Sequence, residues 1–274
     1  MIRAYHQPKR LDDALALLKQ GAMPVAGATG LYSTRKKIDA ELCDITDLGL
    51  GTIEVTADAI HLGATVTLTQ LIDADLPGEE GAFLKLVARH ITARPMRNAI
   101  TIGGNIAHAV FWADMPVALL ALDASIEIAR AGEAAVTVAI ADALKGSAPW
   151  GNGALITKVV IPLKKGRRFG YERLSRTKND YAYVTAAASM SVCDGKASDV
   201  RVVFGALQPR AFRVTDIESE LEGKAVSAEG IAQAVQKAAA DLPIAPNFRA
   251  SVDYRRDVAT ALARRAIAQA AGQE

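Results

Sequence analysis

The chain has 274 residues, half of them hydrophobic, which is enough for a well-buried core, and its 32 Lys and Arg nearly balance 30 Asp and Glu. The net charge of +2 gives no reason to expect nucleic acid or an anionic membrane surface as a partner. Two cysteines and four scattered histidines exclude an iron–sulfur cluster within this chain and disfavour a structural zinc site, because each needs about four ligands.

The first part of the chain mixes predicted helices and short strands. In chain order we predict a helix at 11–20, a strand at 24–26, a glycine-rich loop at 27–30, a strand pair at 53–55 and 60–63, a helix at 82–91, a second glycine-rich turn at 101–106, a helix at 115–124, and strands at 125–129, 135–140 and 155–161. The glycine-rich loops interrupt the apolar pattern at two places about 70 residues apart.

The pattern changes after Pro162, where residues 164–168 read as a basic, polar connector. Beyond it, strands are predicted at 169–174, 182–192 and 200–207, and alanine-rich amphipathic helices at 227–242 and 253–271. Strands followed by helices indicate an α+β fold. We place the domain boundary at the connector, which gives domains of residues 1–165 and 166–274.

The two glycine-rich loops fit neither GxGxxG nor the P-loop pattern, which argues against a standard dinucleotide fingerprint and a nucleoside triphosphatase. Each loop could still hold phosphate, because residues without Cβ atoms let backbone N–H groups converge on an anion. Thr29, Thr101 and Asn105 could add side-chain hydrogen bonds. The alternative is that both loops are ordinary β-turns. Asp114, before an apolar helix, has the alternative of a plain N-cap.

The segment from Ala93 to Ala124 carries the most specific pattern. It reads ARPMRNAITIGGNIA, then Asp114, Pro116 and LLALDA at 119–124. This resembles the signature of the flavoprotein subunits of molybdenum hydroxylases, the family that includes the medium subunit of carbon monoxide dehydrogenase and the flavin domain of xanthine dehydrogenase. The likeness continues in order along nearly the whole chain, at 24–31, 62–68, 171–176, 179–182, 205–210, 221–224, 253–256 and 264–266.

The chain departs from the family pattern at several positions in and after these loops. Ala28 and Gly30 stand where the first loop commonly has Gly and Asp, and Ile100 stands where the second commonly has Gly. Residues 108–112 replace a stretch of small residues and Pro. We expect these side chains to lie near the flavin and to tune its access to solvent or to a partner.

The resemblance implies a PCMH-type FAD-binding domain of two α+β subdomains, followed by a smaller C-terminal domain of antiparallel strands and helices. It implies that the FAD diphosphate contacts both glycine-rich loops. The cofactor-binding residues so implied in the two loops are Ala26, Gly27, Ala28, Thr29, Gly30, Leu31, Thr101, Ile102, Gly103, Gly104 and Asn105, and no residue is assigned a catalytic or metal-binding role.

Four further residues match positions near the flavin in the family. Asp114 matches a flavin-contacting Asp. Arg173 matches a basic position that could stabilise negative charge on the reduced ring, the alternative being an exposed Arg at a strand end. Tyr181 matches an aromatic position near the ring, the alternative being a strand residue packed in the core. Ile156 is expected to pack against the adenine or the ring at a strand end.

The function implied is electron transfer by FAD within a larger enzyme. FAD would accept electrons from [2Fe–2S] clusters in a small subunit and pass them to an external acceptor, while a large subunit holds molybdopterin. Two alternatives stay open: a stand-alone flavin oxidoreductase of the same fold, and a non-catalytic assembly module without flavin. Unpaired cysteines and the lack of a signal peptide or a membrane segment predict a cytoplasmic protein without membrane insertion.

Overall fold

The computed structural model describes residues 1–33, 38–108 and 110–273, and it confirms the predicted α+β class. The strands are β1 Ile2–His6, β2 Met23–Val25, β3 Ala40–Asp44, β4 Ile53–Val55, β5 Ala59–Gly63, β6 Ser125–Arg130, β7 Val136–Ala139, β8 Ala154–Pro162, β9 Arg167–Ser175, β10 Ala182–Cys193, β11 Lys196–Gly205 and β12 Phe212–Arg213. The helices are α1 Leu11–Lys19, α2 Thr29–Ser33, α3 Leu68–Asp73, α4 Gly78–His90, α5 Arg94–Arg97, α6 Ile102–His108, α7 Met115–Ala121, α8 Ile140–Ala143, α9 Thr215–Leu221, α10 Ala228–Ala239 and α11 Val252–Ala271. Of the helices in these ranges, none is both long and apolar enough to cross a bilayer.

The chain forms two compact units, and the first comprises Met1–Asp75, Ala93–His108 and Ala124–Pro162. It holds a parallel sheet in the order β1-β3-β2 and a five-stranded antiparallel sheet in the order β4-β5-β8-β6-β7. One apolar face of α1, with Leu15 and Leu18, packs against Cys43 of β3 and Leu155 of β8. The two sheets are thereby joined through one helix.

The second unit comprises Leu76–Thr92, Ala109–Asp123 and Leu163–Glu274. Its antiparallel sheet, in the order β12-β11-β10-β9, has packing on both faces. Along β10, Ala186 and Ala188 point into the core formed with α9, α10 and α11. The alternate residues Thr185 and Ser189 point to the other face, where Ser189 donates a hydrogen bond to the Ala121 carbonyl of α7 at 2.7 Å.

Two charged residues of this second unit, Arg167 and Glu80, are buried. Arg167 falls in the segment predicted to be a polar connector, but it begins β9, is 2% exposed and donates to the Ser189 hydroxyl at 2.9 Å. Glu80 is 4% exposed and accepts the Lys164 amide N–H at 2.9 Å. The connector prediction was wrong at Arg167 because the partner of its guanidinium is distant in sequence.

Two carboxylates of the second unit, Asp123 and Asp199, share Lys164 at 3.2 and 3.0 Å, and Arg201 lies 2.7 Å from Asp199. Partial burial raises the pKa of each carboxyl, but the Lys164 hydrogen bond and the arginine charges outweigh it, so both pKa values lie below the ordinary one. A lowered folded-state pKa stabilises the protein above the unfolded-state pKa of about 4, and that stabilisation is lost as pH falls through the lowered value.

We therefore expect the free energy of unfolding to decrease on acidification from neutral pH to about pH 3, and to decrease less in D123N/D199N. Urea unfolding of both proteins across this range measures the difference. Parallel curves for the two proteins would show that the pair makes no contribution to acid sensitivity.

Candidate functional site

The first glycine-rich loop connects β2 to α2 in the first unit. Its centre, Ala28, has a left-handed backbone with φ +56°. The backbone amides of Gly27, Ala28 and Thr29 donate to no other described residue. Successive N–H groups around a left-handed residue form a concave surface that suits an anion. Among the described residues, the loop therefore offers three successive amide donors without an acceptor. Thr29 and Gly30 begin the short helix α2, so this part of the loop is not a β-turn.

The second loop differs from its prediction, because Gly103 and Gly104 lie in the helix α6 and not in a turn. Its amides are already engaged. Gly103 donates to the Ala64 carbonyl at 2.9 Å, and Gly104 donates to the Thr101 hydroxyl at 3.1 Å. Asn105 donates its amide to the Thr101 carbonyl at 2.9 Å. Thr101 therefore starts the helix, and the loop presents no row of free amides to a ligand.

The polar group that the second loop does leave available is the Asn105 side chain. Its Oδ1 is enclosed and accepts no hydrogen bond from any residue that the structure describes. A buried polar atom without a partner is costly, so such an atom is commonly completed by a ligand or by water. A carboxamide can supply both a donor and an acceptor to a bound molecule.

The two loops lie against each other within the first unit. A Cβ added to Gly27 would lie 1.6 Å from the carbonyl oxygen of Ala99, just before the second loop. A Cβ added to Gly103 would lie 2.7 Å from the Ala64 Cβ. Close packing therefore requires glycine at both positions. Composition and residue spacing alone do not reveal this requirement.

Other predicted residues of the first unit have more limited access. Ile102 is fully buried and donates its amide to the Val66 carbonyl at 2.9 Å. Ile156 on β8 is 3% exposed. Ala26 and Leu31 are half-buried beside the first loop. The roles of these four residues at a cofactor stay predictions.

Asp114 and Arg173 form a buried ion pair in the second unit. Asp114 Oδ2 lies 3.2 Å from Arg173 Nε, and the two side chains are 4% and 6% exposed. Thr185 donates its hydroxyl to Asp114 Oδ1 at 2.9 Å. The Asp114 side chain makes no N-cap hydrogen bond with α7, so the capping interpretation is wrong. Arg173 is likewise not an exposed strand-end residue.

Arg173 ties the end of β9 to the segment that leads into β10. It donates to the Ser175 hydroxyl at 2.7 Å and to the Asp180 carbonyl at 2.6 Å. Burial raises the pKa of Asp114 against the opposing charge of Arg173. Burial, together with the Asp114 charge, raises the pKa of the neighbouring Tyr171 hydroxyl well above its usual value. Asp114, Arg173, Thr185 and Tyr171 thus form a buried polar cluster. It lies on the face of the β12-β11-β10-β9 sheet that does not pack against α11.

Tyr181 belongs to an aromatic and arginine group at the start of β10. Its ring centre lies 4.6 Å from that of Trp112, and the Arg249 guanidinium lies 5.2 Å from the ring centre. Arg249 also donates to the Tyr181 carbonyl at 3.1 Å. Tyr181 is 46% exposed, so it is not the buried strand residue of the alternative interpretation. Its ring is available for stacking.

The left-handed backbone of Ala28 gives a prediction about the first loop. An L-residue in this conformation costs about 1–2 kcal/mol, whereas glycine adopts it freely. We expect A28G to raise the free energy of unfolding by about 0.5–1 kcal/mol, after the extra chain entropy of glycine is subtracted. Thermal or urea unfolding measures this. A26G is the matched control and should lower stability, so equal effects of the two variants would contradict the argument.

Comparison with known proteins places this fold and these loops in one family. Residues 1–164 match the FAD binding domain in molybdopterin dehydrogenase, and residues 169–270 match the CO dehydrogenase flavoprotein C-terminal domain. The chain is 28% identical to the nicotine 6-hydroxylase medium subunit of Paenarthrobacter nicotinovorans, over 97% of this chain and 96% of that protein. It is 30% identical to the carbon monoxide dehydrogenase medium chain of Afipia carboxidovorans, over 97% and 96%.

A solved structure gives the same result. The carbon monoxide dehydrogenase from Hydrogenophaga pseudoflava that lacks the Mo-pyranopterin moiety of the molybdenum cofactor has a chain that superposes with a TM-score of 0.92. The match has 27% identity and covers 98% of this chain and 97% of that one. This chain is therefore an FAD-binding oxidoreductase subunit that belongs to the family of medium subunits of the molybdenum hydroxylases.

Proposed function

We propose that this chain holds the FAD diphosphate on its first glycine-rich loop and passes electrons through the flavin within a multi-subunit enzyme. The observation that carries the proposal is the row of three amides at Gly27, Ala28 and Thr29, none of which donates to another residue within the described ranges. A diphosphate is an anion with many acceptor oxygens, and such a row of donors complements it without any lysine. The residues present therefore fit the cofactor.

The second loop contributes differently from the first. Because the amides of Gly103, Gly104 and Asn105 are engaged within the fold, we propose that its contact with FAD uses the Asn105 carboxamide and the exposed Cα surface of Gly104. The unpartnered Asn105 Oδ1 supports this. The close approach of Gly27 to Ala99 keeps both loops at one place in the first unit.

Asp114, Arg173 and Tyr181 are proposed as flavin contacts of the second unit. Tyr181 has the strongest support, because nearly half of its side chain is exposed and it is held by Trp112 and Arg249. Arg173 already donates to Asp114, Ser175 and Asp180, so it is fixed before any ligand arrives. Fixed charge beside a flavin tunes its reduction.

We propose that the partners are a large subunit with molybdopterin and a small subunit with [2Fe–2S] clusters, in the cytoplasm. The names of the relatives support this, since a medium subunit requires companions. Bound flavin supplies the electron transfer. With two cysteines, this chain itself cannot provide the ligands of a cluster. Electrons would leave FAD for an external acceptor.

We also propose a boundary between sequence domains near residue 165. The two family matches, at 1–164 and 169–270, support it. The compact units are assembled differently, because the second unit includes Leu76–Thr92 and Ala109–Asp123 from the first part of the chain. Residues of α7 such as Val117 and Leu119 are fully buried there, so a fragment that ends at residue 165 would expose them.

A visible absorption spectrum of the purified chain, alone and after adding FAD, tests the proposal. Flavin bands that survive gel filtration support it, and the same spectrum recorded on the native complex tests the partners. Absence of flavin even from the native complex would contradict it and favour an assembly module. Turnover of an organic substrate by this chain and FAD alone would favour a stand-alone flavin oxidoreductase.

A further inference from the structure

The His108 side chain covers Gly30 of the first loop. His108 is the last residue of α6, and Gly30 lies in the first turn of α2. A Cβ added to Gly30 would lie 2.9 Å from His108 Cγ and 3.0 Å from Nδ1. Such distances are shorter than ordinary contacts, so the imidazole occupies the space that any side chain at position 30 would need. The two positions are sterically coupled.

The imidazole of His108 has two ring nitrogens that can form hydrogen bonds. Neither ring nitrogen of His108 has a hydrogen-bond partner in the part of the chain that the structure describes. The residue is half-buried, and this burial lowers the pKa of His108. The ring is therefore neutral at neutral pH and carries one N–H donor and one acceptor. A half-buried donor with no protein partner is suited to a ligand.

Its position places this donor beside the proposed diphosphate site. Gly30 directly follows Gly27, Ala28 and Thr29, whose amides donate to no other residue that the structure describes. A ring that packs on Gly30 therefore contacts the residue next to this row of amides. A side chain at position 30 would displace the ring, so glycine at this position is what permits the histidine to be there.

We infer that His108 is a cofactor-binding residue whose imidazole donates a hydrogen bond to the diphosphate of FAD. The inference rests on the proposed function, since it takes the first loop as the diphosphate site. The competing role for His108 is that of a spacer that only fills the room beside Gly30. If His108 is a donor, FAD binding depends on its N–H group. If His108 is a spacer, FAD binding depends on the size and shape of its ring.

Two substitutions separate these roles in the full-length chain. H108F keeps a ring of similar size without a donor, and H108Q keeps a donor without the ring. We expect H108F to weaken FAD binding about tenfold to a hundredfold, as the loss of one hydrogen bond to a charged group does, and H108Q to retain most of the affinity. Titration calorimetry with FAD gives the dissociation constants without recourse to enzyme activity.

The probe molecules ADP and adenosine locate the contact on the cofactor. The H108F effect should appear with ADP, which carries the diphosphate, and be absent with adenosine. Affinity for FAD that is unchanged in H108F, or lost equally in H108Q and H108F, would overturn the inference and leave His108 as a spacer. An equal loss for adenosine and ADP would also overturn it.

Gly30 supplies an independent test through the steric coupling. G30A should displace the ring and weaken FAD binding in the wild-type background, but it should add little to H108F, because the donor is already absent. Additive effects would contradict the coupling. A wild-type chain that retains no FAD even in the native complex would reject the proposed function itself, whereas equal FAD affinity of wild type and H108F would reject only the role of His108.

Discussion

Replacing Asp114 with alanine should lower the free energy of unfolding by about 3–5 kcal/mol, because it leaves a buried guanidinium without its counter-ion. Arg173 is 6% exposed, and its Nε lies 3.2 Å from the Asp114 carboxylate. The substitution also removes the acceptor of the Thr185 hydroxyl. Loss of a helix cap plays no part in the effect, since the Asp114 side chain makes no capping hydrogen bond with α7. Urea unfolding of the full chain measures the change.

A surface ion pair provides the matched control for D114A. Asp142 lies 3.1 Å from Lys145, but these side chains are 68% and 77% exposed. D142A should therefore cost less than about 1 kcal/mol. If D114A costs no more than D142A, the buried pair does not stabilise the second unit.

The double variant D114L/R173M separates the structural role of the pair from its proposed role at the flavin. Apolar replacement of both partners of a buried pair often recovers most of the lost stability. If Asp114 and Arg173 also contact the flavin, the double variant should fold stably but bind FAD more weakly than the wild type. Recovery of stability together with wild-type FAD affinity would assign the pair to folding alone.

Replacing Gly27 with alanine should destabilise the first unit by about 1–3 kcal/mol or more, the range for overpacking of a close contact. The new Cβ would lie 1.6 Å from the Ala99 carbonyl oxygen and 2.5 Å from its carbon. Both are backbone atoms, so neither can move aside by a change of rotamer. The two loops must separate, and the amides of Gly27 to Thr29 move with them. FAD affinity should fall together with stability.

Gly51 offers the matched control for G27A within the same unit. A Cβ at Gly51 would lie 3.5 Å from the Thr65 hydroxyl, an ordinary contact. G51A should therefore leave FAD binding unchanged and alter stability only slightly. Titration of each variant with FAD, together with its urea unfolding curve, distinguishes them. Equal FAD affinity in G27A and G51A would show that the approach of the loops does not shape the site.

Local sequence patterns predicted several elements of the fold correctly. The apolar spacing in 11–20 predicted α1, and short strand-like runs predicted β4, β5, β8 and β10. The family resemblance along the chain was confirmed by the comparisons. These features follow from hydrophobic periodicity and short motifs, which depend on residues close in the chain.

A turn was predicted at 101–106 where the structure has the helix α6, because consecutive glycines have low helix propensity. Their cost in a helix is offset by tertiary packing, since Gly103 fits against Ala64. The amides of this loop were therefore expected to face a ligand, whereas they bind Ala64 and Thr101. Tertiary contact here overrides local propensity and changes which atoms are free.

The sequence by itself determined the α+β class and the family, because both are encoded in local patterns and ordered motifs. Only the tertiary structure decided which side chains are paired. Asp114 and Arg173 are 59 residues apart, and the residues around each of them in the sequence do not indicate that the two side chains pair. Likewise, a residue without a Cβ is required at Gly27 because the Ala99 backbone lies against it, and at Gly30 because the His108 ring does. Ion pairs and close packing depend on distances in space, which residue spacing along the chain does not specify.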